Sequence, residues 1–164
     1  MHHADKIFRK ETDGIMDIHA LTQHYADLFT ALAPHNLEDL RAVLSDEVVF
    51  VDPFNTLQGK TDFIAIFEHM FEVMTAPKFT ILDIATSPKV GYIKWEMTGS
   101  LTSRSAFSLH LVGMSELVFD KDGQLILHHD HWDSAHQLLR HIPVAGFFIQ
   151  RLLRLFALPK KWGQ

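Results

Sequence analysis

A carboxylate ends an apolar run in the first third of the chain. Asp52 follows the run VVFV at 48–51 and stands directly before Pro53. An acid at the end of a buried strand can reach an apolar pocket, where its pKa would rise and it could transfer a proton near neutral pH. The alternative is that Asp52 only begins a turn, because Asp-Pro pairs are frequent turn starters. Spacing alone favours the turn.

A second concentration of titratable residues is the run HHDHWD at 128–133. Side chains of a strand alternate between its two faces. One face therefore carries His128, Asp130 and Trp132, and the other carries His129, His131 and Asp133. Two histidines and an acid suit zinc or iron in principle. Because spacing supplies no third histidine, we predict no metal site here and no cofactor.

The periodicity of apolar residues predicts the elements that position these groups. A helix is expected over 17–33 with Tyr25 on its apolar face, and Asn36 is expected to cap a short second helix. Phe67 lies on the apolar face of a third helix, and strands are predicted at 48–51, 79–84, 90–98, 107–119 and 124–133. Ser134 and Gln137 form a predicted capping box that opens a further helix. The order favours an α+β fold with helices on one side of a curved antiparallel sheet, which leaves a conical pocket.

Length, charge and composition narrow the function classes. The 164 residues suit one main domain at 15–140, after a polar leader at 1–14 and before an apolar extension at 141–164. The formal net charge of −5 gives no electrostatic reason to expect a nucleic-acid partner. Without cysteine, disulfides and thiol chemistry are excluded, and we expect a cytoplasmic protein. No apolar stretch is long enough to span a bilayer, and no secretory signal is recognised.

Several short runs together resemble a known family. They read QHY at 23–25, NLEDL at 36–40, LSDE at 44–47, FVDP at 50–53, a glycine at 59 and HDHWD at 129–133. Their order and spacing over residues 17–135 resemble the nuclear transport factor 2-like superfamily, in its SnoaL-like and ketosteroid-isomerase-like branch. The resemblance implies a cone-shaped sheet wrapped around helices and a homodimer. The superfamily contains isomerases, cyclases, dehydratases and epoxide hydrolases as well as binding modules, so the fold alone does not fix a function.

The resemblance also implies roles for individual residues. Asp52 matches the general base of the isomerases, and Tyr25 matches their oxyanion-stabilising phenol. The position of their second oxyanion donor, a protonated carboxylic acid, is occupied here by Ser115. In the same register His128 and Asp130 point into the cone beside Asp52, so one of the two acids should hold its proton. The alternative is that His128 and Asp130 only pair with each other or with a neighbouring strand.

Bulky residues around these groups are candidates for substrate binding. We expect such a role for Trp95, Trp132, Phe54, Phe67, Leu111 and Ser115. Aromatic walls suit a flat apolar ligand, but a packed core explains the tryptophans equally well.

The apolar stretch at 144–158 contains two arginines and is followed by Lys160 and Lys161. We expect it to form a helix that covers the cone or a dimer partner. A helix resting on a membrane surface is the less favoured alternative.

Two functions fit these observations. The first is an enzyme that uses general acid–base chemistry on an apolar small molecule, with Asp52, Asp130, Tyr25 and His128 as catalytic residues. The alternative is a non-catalytic module of the same fold for ligand binding or dimerisation. The two are distinguished by whether the acids converge on a solvent-reachable site or whether side chains fill the cone.

Overall fold

The structure is a computed structural model that describes residues 17–102, 104–141 and 145–156. Its helices are α1 (Ile18–Thr30), α2 (Leu37–Ala42), α3 (Lys60–Val73), α4 (Ser134–Gln137) and α5 (Ala145–Phe156), with a 3₁₀ turn at Leu139–His141. Its strands are β1 (Leu44–Val51), β2 (Thr56–Gln58), β3 (Met74–Thr86), β4 (Val90–Leu101), β5 (Arg104–Phe119) and β6 (Leu125–Trp132).

One curved, unclosed sheet of six strands has the order β2-β1-β6-β5-β4-β3. The predicted α+β class is therefore confirmed, and the strands from β3 to β6 pair in the antiparallel succession that the sequence indicates. The sequence did not reveal that β1 pairs with β6 in parallel, with Phe50 opposite His128 and Val51 opposite His129. This pairing joins the two runs that contain the candidate acids.

The inner face of the sheet packs against α1 and α3. Along β4, Ile93, Trp95 and Met97 are buried while the residues between them are more exposed, as their alternation predicts. Aromatic residues from α1, α3 and three strands fill the space between the layers: Tyr25, Phe29, Phe50, Phe63, Phe67, Phe79 and Trp95. Successive rings meet at centroid distances from 4.9 to 6.4 Å, for example Phe29 with Phe79 and Phe50 with Phe67. This part of the cone is a packed aromatic core.

Two helix starts differ in detail from the prediction. Asn36 precedes α2, but its side chain makes no cap bond to that helix and instead bonds Ala33 N and Ala31 O at the end of α1. For α4, Asp133 rather than Ser134 is the cap, and its carboxylate accepts a hydrogen bond from His136 N at 2.9 Å. Gln137 completes no capping box, because both ends of its amide bond the backbone of Val112. A capping signature does not reveal such tertiary partners.

The final described helix, α5, packs mainly against the 3₁₀ turn at Leu139–His141. The expected packing of the apolar face is not found within the described chain, since the exposed fractions of Phe147, Phe148, Leu152 and Leu155 range from 58% to 75%. No described helix is both long and apolar enough to cross a membrane. The predicted leader at 1–14, residues 142–144 and the residues after 156 lie outside the described residues.

A close approach between α1 and β4 fixes where the helix lies on the sheet. A Cβ atom placed on Gly91 would overlap Thr22 Oγ1 and lie 2.9 Å from Thr22 Cγ2. The hydroxyl of Thr22 is itself fixed, because it donates to Ile18 O at 2.6 Å. Only a residue without a side chain therefore allows α1 to lie at this distance.

We expect Gly91→Ala to destabilise the protein by about 1–3 kcal/mol, the usual cost of overpacking a filled core. Urea unfolding measures this loss. In a Thr22→Ala background the same substitution should cost less, because the hydroxyl and methyl groups that it meets are gone. An equal cost in both backgrounds would show that the contact with Thr22 does not set the spacing.

Candidate functional site

A buried hydrogen-bonded network crosses the core, and its centre is His128. The side chain of His128 has no exposed surface. Its Nδ1 lies 2.8 Å from the hydroxyl of Tyr25 on α1, and its Nε2 lies 2.7 Å from Asp130 Oδ1 on the same strand. The imidazole is stacked between Phe29 and Phe50 at centroid distances of 5.5 and 5.2 Å. Both ring nitrogens are thus satisfied inside an apolar shell, as burial of a polar group requires.

Asp130 connects this network to a second branch. Ser115 lies opposite Asp130 in the β5–β6 ladder, and its hydroxyl donates to Asp130 Oδ1. The same hydroxyl oxygen accepts a hydrogen bond from Trp95 Nε1 at 2.8 Å. The network therefore runs from Tyr25 through His128 to Asp130, and from Trp95 through Ser115 to the same carboxylate oxygen.

The donors and acceptors can be assigned along the network. The Asp130 carboxylate accepts from Nε2 of His128, which leaves Nδ1 of that ring to accept a hydrogen bond from the Tyr25 phenol. The proton of His128 then lies on Nε2 and is donated to Asp130. Burial, and secondly the negative charge of Asp130, raises the pKa of the Tyr25 phenol well above its ordinary value. The phenol therefore stays protonated and acts as a donor throughout the neutral range.

Asp130 also lies at the rim of the cone. Its side chain is 16% exposed, whereas that of His128 behind it is fully buried. Trp132, two residues further along the same face, is half-buried and meets the ring of Phe54 at a centroid distance of 5.7 Å. Phe54 itself is 54% exposed. We call Phe54, Asp130 and Trp132 the rim cluster.

Asp52 is close to this cluster in the fold, but its carboxylate is engaged locally. It follows Val51, which is paired with His129, so the ladder ends with Asp52 beside the backbone of Asp130. Its Oδ1 accepts hydrogen bonds from the backbone amides of Phe54 and Asn55 at 2.7 and 2.6 Å, and the side-chain amide of Asn55 bonds both oxygens. These contacts are those of the turn that the sequence offered as the alternative. Among the described residues, the two carboxylates share no hydrogen bond.

The other predicted substrate-binding residues lie in the core. Trp95, Phe67, Leu111 and Ser115 are all buried, and Phe67 packs against Phe29 and Phe50. Only Phe54 and Trp132 of the six predicted residues present appreciable surface at the rim. A ligand that entered without displacing the core would meet these two rings and Asp130.

The outer face of the sheet holds a separate group. The rings of His129 and His131 are tilted to each other at a centroid distance of 4.0 Å, and Glu116 on β5 lies opposite His129. One side-chain atom from each of the three lies within 4.8 Å of the others, an arrangement that could hold a metal ion. The sequence suggested Asp133 as the acid of this group, but Asp133 caps α4. Glu116 could have been found only from the pairing of β5 with β6.

Comparisons with known proteins identify the family to which this fold belongs. The cone-like α+β fold is that of nuclear transport factor 2-like proteins, and residues 25–128 match the family model described as a SnoaL-like domain. The match covers more than half of the chain, so the protein belongs to the SnoaL-like family. No curated protein matches the sequence.

Solved structures of the same fold share little sequence with the chain. A Burkholderia pseudomallei NTF2-like protein of unknown function is 16% identical, with a TM-score of 0.64 over 79% of this chain and 99% of its own. A Mycobacterium tuberculosis epoxide hydrolase of the LEH-like type is 12% identical, with a TM-score of 0.58 over 89% and 98%. Another M. tuberculosis protein, in complex with estradiol-17β-hemisuccinate, is 16% identical, with a TM-score of 0.57 over 71% and 93%. At these identities the likeness shows the fold alone.

The raised pKa of Tyr25 predicts how stability changes in alkali. Because the folded state holds the phenolic proton more tightly than the unfolded chain, the contribution of Tyr25 is complete below the ordinary tyrosine pKa of about 10. It is lost as the pH rises toward the folded pKa. Tyr25→Phe should be less stable by about 1–3 kcal/mol near pH 8, because Nδ1 of His128 loses its donor.

The same variant should also lose less stability than the wild type between about pH 9 and pH 11. Urea unfolding measured from pH 8 to pH 11 shows both effects. Tyr92→Phe removes the other phenol of the chain without touching the network, and it should keep the alkaline loss. If Tyr25→Phe retained the full alkaline loss, the buried phenol would not be its source.

Proposed function

We propose that this protein is an enzyme that acts on a small, mostly apolar molecule by general acid–base chemistry, with Asp130 as the group that transfers the proton. One observation carries the proposal: a buried hydrogen-bonded network ends on the partly exposed carboxylate of Asp130, two residues along the strand from Trp132, whose ring meets that of Phe54. A carboxylate held in this way is a preorganised base for a ligand that packs against the rings of Phe54 and Trp132. Isomerisation, cyclisation, dehydration and epoxide opening are reactions of this type.

The two oxygens of Asp130 have different roles in the proposal. Oδ1 accepts hydrogen bonds from His128 and Ser115, which fix the orientation of the carboxylate. Oδ2 has no hydrogen bond among the described residues and is the oxygen that would meet a C–H or water proton. His128 keeps its proton on Nε2 and stabilises the carboxylate while it is charged.

Tyr25 and His128 act through Asp130 in this arrangement. Both side chains are buried behind it, and the only hydrogen of the phenol is already donated to His128. They are therefore positioning residues. The oxyanion-stabilising role that the family resemblance implies for Tyr25 would require that hydrogen bond to be given up.

Asp52 is the second candidate base. Its carboxylate accepts hydrogen bonds from three N–H groups of Phe54 and Asn55, and these bonds hold the turn. Both of its oxygens are bonded within this turn, whereas Oδ2 of Asp130 has no hydrogen bond among the described residues. We therefore assign Asp52 to the support of Phe54 at the rim and Asp130 to proton transfer.

The structural neighbours support an apolar ligand. One is bound to a steroid hemisuccinate and another is named as an epoxide hydrolase. A ligand of that kind offers the flat apolar surface that stacks on aromatic rings.

A homodimer and a cytoplasmic location complete the proposal. They rest on the family resemblance and on the cysteine-free composition, and light scattering of the purified protein tests the dimer.

A non-catalytic ligand-binding or dimerisation module is the second candidate. It is favoured by the aromatic packing around His128, where Phe29, Phe50 and Phe63 leave the core of the cone filled. In that case the network would serve only to make the core specific.

Proton exchange tests the proposed chemistry before the substrate is known. In D₂O, a base that removes the α-proton of a ketone passes it to solvent and returns deuterium. We expect the protein to accelerate this exchange for flat apolar ketones, measured by NMR. Asp130→Asn should slow it by about 100-fold or more, because the amide keeps the hydrogen-bond acceptor but removes the base.

Asp52→Asn is the isosteric comparison: its amide oxygen can still accept the backbone bonds of the turn, so it should slow exchange far less than Asp130→Asn. A large loss with Asp52→Asn and none with Asp130→Asn would assign the base to Asp52 instead. Quenching of tryptophan fluorescence reports ligand binding independently. Binding without exchange for every ketone and epoxide tried would favour the binding module.

A further inference from the structure

The helix α5 has an apolar face that no described part of the chain covers. Phe148, Leu152 and Leu155 follow one another at helical spacing and form one exposed stripe, which we call the α5 stripe. Ile149 and Leu153, on the adjacent side, are half-buried. Phe147 adds a further exposed ring. Exposed apolar residues concentrated in this way mark an interaction surface.

Charge is distributed unevenly along the chain, and the positive part contains this helix. All 20 acidic residues precede residue 134, whereas five of the 15 basic residues follow it: Arg140, Arg151, Arg154, Lys160 and Lys161. The overall net charge of −5 therefore divides into −10 before residue 134 and +5 after it. The helix itself contains Arg151 and Arg154 and no acid.

We propose that α5 binds an anionic lipid surface, with the α5 stripe in the acyl region and the arginines at the headgroups. Arg151 lies next to the stripe on the helix surface, so an apolar face and positive charge occur side by side. This is the pattern of interfacial helices. The strongly negative remainder of the chain would be repelled by the same surface, which orients the protein with α5 toward the lipid.

A second copy of the chain fits less well as the occupant. The other exposed large apolar residues of the described chain are scattered over separate elements: Phe54, Val73, Leu82, Met114 and Ile126. No other described element presents a stripe that matches α5. Two α5 helices facing each other would also bring their arginines together. The proposal is independent of the chemistry assigned to Asp130.

Sedimentation with vesicles tests the proposal on the full chain. We expect binding to phosphatidylcholine vesicles that contain phosphatidylglycerol, and much weaker binding to phosphatidylcholine alone or at high salt. Leu152→Glu should weaken binding about tenfold or more. Leu82→Glu, which alters an exposed leucine on β3, should leave it unchanged.

The contribution of the two arginines to vesicle binding is tested with a second pair of variants. Arg151→Gln combined with Arg154→Gln should weaken binding by about 30-fold, whereas Lys89→Gln combined with Lys121→Gln should have little effect. Circular dichroism confirms that each variant is folded. No binding to anionic vesicles would overturn the proposal. A Leu152→Glu variant that changes the molar mass in light scattering without any vesicle binding would instead assign the α5 stripe to a second copy.

Discussion

The burial of His128 is the constraint on which the site depends. An imidazole without exposed surface is stable only if both nitrogens are hydrogen-bonded, since an unsatisfied one would cost about 1–3 kcal/mol. One partner comes from α1 and the other from β6. Satisfying this ring therefore fixes the position of the helix on the sheet and the orientation of Asp130 together. The close contact of Thr22 with Gly91 sets how near the helix lies to β4.

The parallel pairing of β1 with β6 adds the second constraint. It brings Phe50 onto the imidazole ring and ends with Asp52 beside the strand that carries Asp130. The turn that follows, held by the carboxylate of Asp52, presents Phe54 to Trp132. Packing inside the cone and the shape of its rim thus result from the same strand pair. Within the described network, the buried polar groups are satisfied by one another, and Asp130 is the member that also contacts solvent.

The helix α5 differs from the cone in how its apolar side chains are covered. The cone satisfies its polar groups and covers its apolar ones, whereas α5 leaves large apolar side chains exposed beside positive charge. Within the chain, such exposure opposes solubility and gains nothing for the core. We attribute this exposure to the proposed contact with an anionic lipid surface, which is independent of the chemistry proposed for Asp130.

Much of this protein could be predicted from local patterns. Period-two alternation placed His128, Asp130 and Trp132 on one face of β6, helical periodicity placed Tyr25 on the buried face of α1, and the succession of elements gave the α+β class. Which groups meet was decided only in the tertiary structure. The register of β5 with β6 joins Ser115 to Asp130, the side-chain packing brings Trp95 to Ser115, and the turn after β1 engages the carboxylate of Asp52. The physical reason is that a periodicity depends on neighbours in the sequence, whereas register and hydrogen-bond competition depend on residues far apart in the chain, here 103 positions for Tyr25 and His128.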